Sequence, residues 1–162
     1  MALTGIEKDY DTLSLRLTAE FAASVEAVWE LWADPRKLER WWGPPQWPAT
    51  FVQHELSPGG SMSYYMTGPD GTKAGGWWRV ESVDPPSSIA FTDGFADADG
   101  NPVDTLPETQ SRVRLTSENG RTVMTLSSRF ASREAMETQL SMGLEEGIAA
   151  AVGQMDALLQ EP

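Results

Sequence analysis

Residues 133–160 read REAMETQLSMGLEEGIAAAVGQMDALLQ and contain no proline. Apolar side chains recur along this segment at steps of three or four residues, at Met136, Leu140, Leu144, Ile148, Val152, Met155 and Leu159. At 3.6 residues per turn this spacing makes one continuous apolar stripe, and Ser132 is a suitable N-cap. The pattern predicts one long C-terminal helix, in which Gly143 and Gly147 indicate a bend or a close contact with the backbone.

The residues before this helix have the pattern of antiparallel strands. Strand-like runs, most of them alternating, occupy residues 11–21, 50–56, 61–67, 76–83, 88–95, 109–117 and 121–130. Asn119-Gly120 between the last two runs is typical of a hairpin turn. After the first run, Ser24 can cap one short helix and Pro35 can begin a second.

The order of elements is therefore one strand, two short helices, about six further strands and one long helix. This order predicts an α+β fold with an antiparallel sheet of six to seven strands. A single domain accounts for residues 1–162, with a core from about residue 11 to residue 160. Residues 1–10 are mixed in character and are predicted to form a loose lead-in.

Composition excludes several classes of function. The chain has no cysteine, which excludes disulfides, thiolate metal sites and a cysteine nucleophile, and which fits a cytoplasmic protein. The net charge of −12 opposes binding to nucleic acid, and no stretch is long enough to span a membrane. Residues 80–111 contain seven acids and no lysine or arginine, which predicts either a solvated edge or a docking face for a basic partner.

Motifs for catalysis and metal binding are absent from the sequence. His54 is the sole histidine, lies within a predicted strand, and has no glycine-flanked serine elbow to serve. A zinc site would need further histidines or cysteines, and residues 97–101 do not match a calcium-binding loop. We therefore assign no catalytic residue, no metal and no cofactor.

Asp93 is the polar residue with the clearest indication of a functional role. It alternates in phase with Phe91 and Phe95, so an inward-facing strand would bring its carboxylate into an apolar pocket. Burial there would raise its pKa and suit it for acid–base work or for anchoring a polar ligand group, and Arg112 or Arg114 could pair with it. The alternative is a solvated or salt-bridged carboxylate at the open end of the strand.

An apolar pocket is expected because one helix cannot fill the concave face of a strongly curved sheet. Aromatic side chains provide large apolar walls, and methionine adapts its shape to variable contents. The candidate ligand-binding residues are the inward-facing apolar residues together with Asp93: Trp42, Met62, Tyr64, Met66, Trp78, Phe91, Asp93, Phe95, Met124, Leu144, Ile148 and Met155. For each of them the alternative is ordinary core packing with no cavity.

Short motifs follow one another in a set order between residues 11 and 160. They are FxAxxxxVW (21–29), WxDP (32–35), RWWGP (40–44), PGG (58–60), GPDG (68–71) and DPP (84–86), followed by Gly147 and Leu158-Leu159 in the last helix. Together they resemble the activator-of-Hsp90-ATPase-homologue-like branch of the SRPBCC (START-like) superfamily. The resemblance implies a helix-grip fold, in which a curved antiparallel sheet closes around a long C-terminal helix.

Two positions depart from the pattern of this branch. Ser57 stands where relatives commonly carry arginine, and Ile148 stands where they commonly carry tryptophan. Both changes could alter the pocket, and they limit what can be carried over from a relative to this chain.

The expected function is binding of a small hydrophobic molecule between the sheet and the C-terminal helix, as a carrier or sensor. Two alternatives remain open. One is an enzyme of the cyclase, hydratase or hydrolase type that uses a pocket carboxylate. The other, implied by the resemblance, is a chaperone-associated or stress-response module that binds a protein, although the absence of arginine at Ser57 and of a second domain weighs against it. A homodimer is compatible with the sequence, whereas nucleic acid and membrane are not expected partners.

Overall fold

An eight-stranded antiparallel sheet forms most of the computed structural model, which describes residues 3–161. The strands are β1 (Leu3–Asp9), β2 (Ser14–Phe21), β3 (Ala49–His54), β4 (Ser61–Thr67), β5 (Lys73–Asp84), β6 (Ser88–Ala96), β7 (Thr109–Glu118) and β8 (Arg121–Phe130). Their order across the sheet is β1-β2-β8-β7-β6-β5-β4-β3. Strands β3 to β8 therefore form a meander, and the pairing of β2 with β8 attaches the N-terminal hairpin to it.

Within residues 3–161, five helices accompany the sheet. They are α1 (Val25–Ala33), α2 (Pro35–Leu38), α3 (Arg133–Ser141), α4 (Leu144–Val152) and α5 (Met155–Leu159). Ser24 caps α1 through a hydrogen bond accepted from the backbone N–H of Ala27, and Asp34 caps α2 in the same way from Arg36. The predicted α+β helix-grip architecture is confirmed, and two short helices precede the remaining strands as expected, although they follow the second strand rather than the first.

The sheet has one strand more than the six to seven predicted, because residues 3–9 form β1 rather than a loose lead-in. The register of β1 against β2 shifts between Leu3 and Gly5. This irregularity breaks the period of two along β1, so the sequence carries no alternating pattern there. Leu3 and Ile6 still pack against the core. Met1, Ala2 and Pro162 lie outside the described residues.

The C-terminal segment forms three helices in place of one continuous helix. Gly143 ends α3 with a left-handed backbone (φ +86), a conformation that glycine adopts more easily than other residues. Gly147, by contrast, lies inside α4 and interrupts nothing. A second break follows at Gly153, where the side chain of Gln154 donates a hydrogen bond of 2.6 Å to the carbonyl oxygen of Gly43.

The breaks let one apolar stripe contact two separate parts of the core. Met136 on α3 packs with Leu15 and Phe130 in a small cluster near the start of the helical segment. Val152 and Met155, beyond the first break, belong to the main core. Between these two anchored parts lies the first half of α4, whose apolar residues Leu144 and Ile148 are only half-buried.

Tryptophans fill one part of the space inside the sheet. Trp32 on α1 packs edge-to-face on Trp41 and Trp42, with ring centroids 4.7 and 5.8 Å away. Trp42 meets Trp78 of β5 at 4.9 Å in the same edge-to-face manner. These four residues, which we call the tryptophan cluster, are at least nine-tenths buried and hold α1 and the segment after α2 against the sheet.

The two glycines of the C-terminal segment provide a matched test of the break. Gly143→Ala should lower the free energy of unfolding by about 1–2 kcal/mol, because alanine is strained in a left-handed conformation. Gly147→Ala should raise it by about 0.5–1 kcal/mol, because a Cβ there meets no atom within 4 Å and alanine favours the helix. Urea denaturation measures both changes, and equal changes in the two variants would contradict the assigned break.

Candidate ligand-binding cavity

A cavity of about 270 Å³ lies between the inner face of the sheet and the helices α3 and α4. Its lining is mostly apolar and consists of Trp42, Pro44, Tyr64, Met66, Ala74, Gly75, Phe91, Asp93, Gly94, Phe95, Ser111, Leu126, Ser128, Gln139, Met142, Gly143, Leu144, Gly147 and Ile148. Met142 is 54% exposed and also lines the cavity, so the cavity reaches the surface at the break between α3 and α4.

Eight of the twelve residues singled out from the sequence lie around this cavity: Trp42, Tyr64, Met66, Phe91, Asp93, Phe95, Leu144 and Ile148. The other four, Met62, Trp78, Met124 and Met155, are at most 1% exposed and lie in the main core instead. Those on strands do face inward, but they pack in one core cluster with residues of α1 and with Trp41 and Trp42. The alternation of residues along a strand identifies the inner face of the sheet. It does not show which part of that face is packed against other elements and which part borders a cavity.

Sequence reasoning missed the small and polar residues of the lining. Ser111 and Ser128 alternate in phase with the apolar residues of β7 and β8, so the period of two could have identified them. Gln139, Gly143 and Gly147 follow one another at steps of four, which makes a second row beside the apolar stripe of the C-terminal segment. That row faces the cavity.

Gly76 determines where the hydroxyl of Tyr64 lies. The two residues are paired across β4 and β5, and a Cβ built on Gly76 would come within 2.4 Å of both Cζ and Oη of Tyr64. The phenol therefore lies flat over the backbone of β5, in the space that any other side chain would occupy. In the next strand, Phe95 is paired with Gly76 and Asp93 is paired with Trp78. The hydroxyl thus lies over β5, beside the stretch of β6 that carries Asp93.

Asp93 is half-buried and lines the cavity, and the pKa of its carboxyl group is raised. Burial raises the pKa of Asp93 to about 7, against a reference value of 3.8, while a backbone hydrogen bond opposes part of the rise. Burial also raises the pKa of Tyr64, and the negative charge of Asp93 raises it further. Of the described residues that line the cavity, Tyr64 and Asp93 are the two that titrate.

The predicted pairing of Asp93 with Arg112 or Arg114 is wrong. Asp93 lies opposite Thr109 on β7, and Thr109 and Ser111 face inward with it. Arg112 and Arg114 have the opposite phase on β7 and are exposed on the outer face of the sheet. The period of two therefore puts the whole sheet between these arginines and the carboxylate.

Indole N–H groups next to the cavity lack hydrogen-bond partners. The buried Nε1 atoms of Trp32, Trp42 and Trp78 have none among the described residues. Those of Trp42 and Trp78 lie close enough to the hydroxyl of Tyr64 to oppose the rise in its pKa, without reaching hydrogen-bond geometry. An unpaired buried donor costs free energy, and each such group in a folded protein calls for an explanation.

The wall that β7, β8 and α3 contribute satisfies its own polar groups. The side chain of Gln139 on α3 donates a hydrogen bond to the hydroxyl of Thr109. The hydroxyls of Ser111 and Ser128, on neighbouring strands, share a hydrogen bond of 3.1 Å. These contacts join α3 to the sheet and leave the unpaired donors on the side of Trp42.

Other residues considered from the sequence lie away from the cavity. Nε2 of His54 is 3.2 Å from the carbonyl oxygen of Trp32, which makes it part of the packing of α1 on β3. Asp97 accepts backbone hydrogen bonds from Asp99 and Asn101 and so closes a turn. Within residues 3–161 there is no group of three or more histidines or acids arranged to hold a metal ion. In the same range, no helix has the length and apolar character needed to cross a membrane.

The fold and the family agree with one another. A curved antiparallel sheet packed around C-terminal helices is the fold of the SRPBCC superfamily. Residues 22–160 match the family described as "Activator of Hsp90 ATPase homolog 1-like protein", and the chain belongs to that family. The resemblance inferred from the sequence motifs is thus confirmed.

Solved structures support the assignment. The crystal structure of protein Ms6760 from Mycobacterium smegmatis is 48% identical, covers 99% of this chain and 98% of its own, and has a TM-score of 0.92. A solution structure from Arthrobacter aurescens is 52% identical over 98% of this chain and 92% of its own, with a TM-score of 0.94. The AHSA1 protein from Silicibacter pomeroyi is 26% identical over 90% and 96%, with a TM-score of 0.73. No curated protein matches the chain.

Asp93 should make the stability of the protein depend on pH. Between pH 3.8 and about pH 7 the folded state holds this proton more tightly than the unfolded chain does, so the free energy of unfolding falls as the pH rises. The loss is at most about 4 kcal/mol and is complete above the folded-state pKa. Asp93→Asn should remove this slope, as measured by urea denaturation at a series of pH values.

Asp70→Asn is the control, because the pKa of Asp70 is lowered whereas that of Asp93 is raised. A backbone hydrogen bond from Thr72 lowers the pKa of Asp70, so its contribution is present at neutral pH and is lost as the pH falls through the folded-state value. In Asp70→Asn the free energy of unfolding should therefore still fall between pH 4 and pH 7. In Asp93→Asn this fall should be absent. A wild-type slope that survives in Asp93→Asn would contradict the assigned burial of Asp93.

Proposed function

We propose that this chain reversibly binds a small, uncharged and mostly apolar molecule in the cavity between the sheet and helices α3 and α4. The observation that carries the proposal is the cavity itself, an apolar space that the core residues around it leave open. Soluble domains bury apolar surface closely, and a void of this size loses the packing of its walls unless something occupies it.

The size of the cavity limits the ligand. A volume of about 270 Å³ exceeds the roughly 150 Å³ that accommodates benzene in an engineered cavity, and it lies near the lower end of the range for ligand pockets. A molecule with two or three fused or linked rings, or a short branched chain, fits this space. The opening beside Met142 provides a route of entry from solvent.

The family supports the same reading. Folds of this family commonly bind hydrophobic ligands. In this chain, Ile148 replaces the tryptophan expected at that position, and its smaller side chain leaves space at the wall that α4 contributes. The substitution favours a larger free volume here than in a relative with tryptophan.

Neither catalysis nor protein binding is part of the proposal. Of the described lining residues, Tyr64 and Asp93 are the ones that can exchange protons, and the lining serines, Ser111 and Ser128, are hydrogen-bonded to each other rather than to either of them. The large exposed hydrophobic side chains of residues 3–161 are Tyr10, Val52 and Met142, which lie on separate parts of the fold. They do not make the contiguous apolar patch that a stable protein interface uses.

The neutral fluorophore N-phenyl-1-naphthylamine tests the proposal directly. Its emission rises in apolar surroundings, so titration with the wild-type protein should give saturable enhancement with one site per chain. Ile148→Trp should weaken this binding by about tenfold or more, equivalent to about 1.4 kcal/mol, because the added ring occupies the cavity.

Ala150→Trp is the matched control. Ala150 is exposed on the same helix and does not line the cavity, so this variant should bind the fluorophore as the wild type does. No saturable binding to the wild type, or an equal loss in both variants, would overturn the proposed function.

A further inference from the structure

Four polar groups in and beside the cavity take no part in the hydrogen bonds between Gln139 and Thr109 and between Ser111 and Ser128. They are Nε1 of Trp42, Oη of Tyr64, Nε1 of Trp78 and the carboxyl group of Asp93, which we call the polar pole. Trp42, Tyr64 and Asp93 line the cavity, and Trp78 is directly paired with Asp93 in the sheet. Phe91 and Ile148 are apolar parts of the wall near them, and the nearby polar side chains of Gln139 and Ser111 are hydrogen-bonded to Thr109 and Ser128.

The polar pole has more hydrogen-bond donors than its own acceptors use. Both indole N–H groups lack a partner in hydrogen-bond geometry and lie next to the oxygen of Tyr64, which is an acceptor. The proton of Tyr64 must then point away from the indoles, toward Asp93 or into the cavity. A neutral Asp93 adds a further O–H donor, so at least one donor remains for a ligand.

The charges around the site favour a neutral carboxyl group. The residues that line the cavity near Asp93 come from β4 (Tyr64), β7 (Ser111), α3 (Gln139) and α4 (Leu144 and Ile148), and none of them carries a cationic group. The acids of α4 are engaged or solvated, since Glu145 binds Lys8 at 3.0 Å and Glu146 is exposed. With no cation of the described wall to pair with, the ionised form of Asp93 is the costly one.

We propose that the polar pole binds the carbonyl oxygen of an otherwise apolar ligand, with the hydroxyl of Tyr64 and the protonated carboxyl of Asp93 as donors. This inference rests on the proposed function and specifies its ligand class. A carboxylic acid that apolar surroundings keep neutral can donate a hydrogen bond to a ligand oxygen. With a pKa of about 7, Asp93 is present in this neutral form at neutral pH as well as at lower pH.

Alternative ligand classes fit the polar pole less well. An ammonium group would bring more donors to a place that already has a surplus, and it would lie against the positive ends of the indole N–H dipoles. A carboxylate ligand would be repelled by the ionised form of Asp93. It would also lose its hydration without a cation in the wall to pair with. A neutral acceptor oxygen uses the unpaired donors and carries neither cost.

Two neutral fluorophores separate the polar pole from the cavity as a whole. The ketone 6-propionyl-2-(dimethylamino)naphthalene has a carbonyl oxygen, and N-phenyl-1-naphthylamine has none. In Asp93→Leu, which removes the donor and keeps an apolar side chain, the ketone should bind about 5- to 10-fold more weakly because one hydrogen bond is lost. N-phenyl-1-naphthylamine should bind Asp93→Leu at least as tightly as it binds the wild type, because an apolar side chain replaces a polar one in the wall. Its saturable binding also shows that the variant is folded.

The pH dependence provides a second readout. In the wild type, affinity for the ketone should fall between about pH 5.5 and about pH 8.5, on either side of the pKa of Asp93, because the donor is lost on ionisation. Asp93→Asn keeps an N–H donor that does not titrate, so it should bind the ketone at low pH about as the wild type does and should show no such fall.

The outcomes distinguish the two proposals. If neither fluorophore binds the wild type, the proposed function fails and the inference falls with it. If N-phenyl-1-naphthylamine binds, the cavity is a ligand site, and the inference alone is then tested. The inference is overturned if Asp93→Leu weakens the binding of both fluorophores equally, or if it weakens the binding of neither. It is also overturned if the affinity of the wild type for the ketone stays constant or rises as the pH increases.

Discussion

The stacking of Trp78 on Phe91 is the contact on which the interior of this protein depends. The two rings lie on neighbouring strands with centroids 4.1 Å apart and planes 17° from parallel. Trp78 is also in edge contact with Trp42, so it joins the tryptophan cluster to the middle of the sheet. Phe91 lines the cavity on its other side. The stacked pair is therefore the boundary between the packed part of the inner face and the open part.

The cavity exists because neither the cluster nor the C-terminal segment extends over the whole inner face. Left-handed Gly143 divides that segment, and α4 crosses the space with Leu144 and Ile148 half-buried. The sheet contributes small residues at the same place, including Gly75 and Ser111. Close packing at both ends and small residues between them leave an internal space in a hydrophobic fold.

Much of the fold could be predicted from the sequence, and less of the site. Alternation identified the inner face and placed Asp93 on it, because the period of two depends on the strand alone. It could not separate Met62 and Met124 from true cavity residues, since that depends on how α1 packs. Strand β1 was missed because its register shifts, and the break at Gly153 was missed because a right-handed glycine leaves no local signal.

Methionine methyl groups provide the most direct test of where the cavity lies. Met66 and Met142 line it, whereas Met62 and Met124 are buried in the core beyond the stacked pair. With methionine methyls labelled with ¹³C and N-phenyl-1-naphthylamine bound, intermolecular nuclear Overhauser effects should connect the ligand to Met66 and Met142. Effects that connect it instead to Met62 or Met124 would place the ligand inside the packed core and contradict the account.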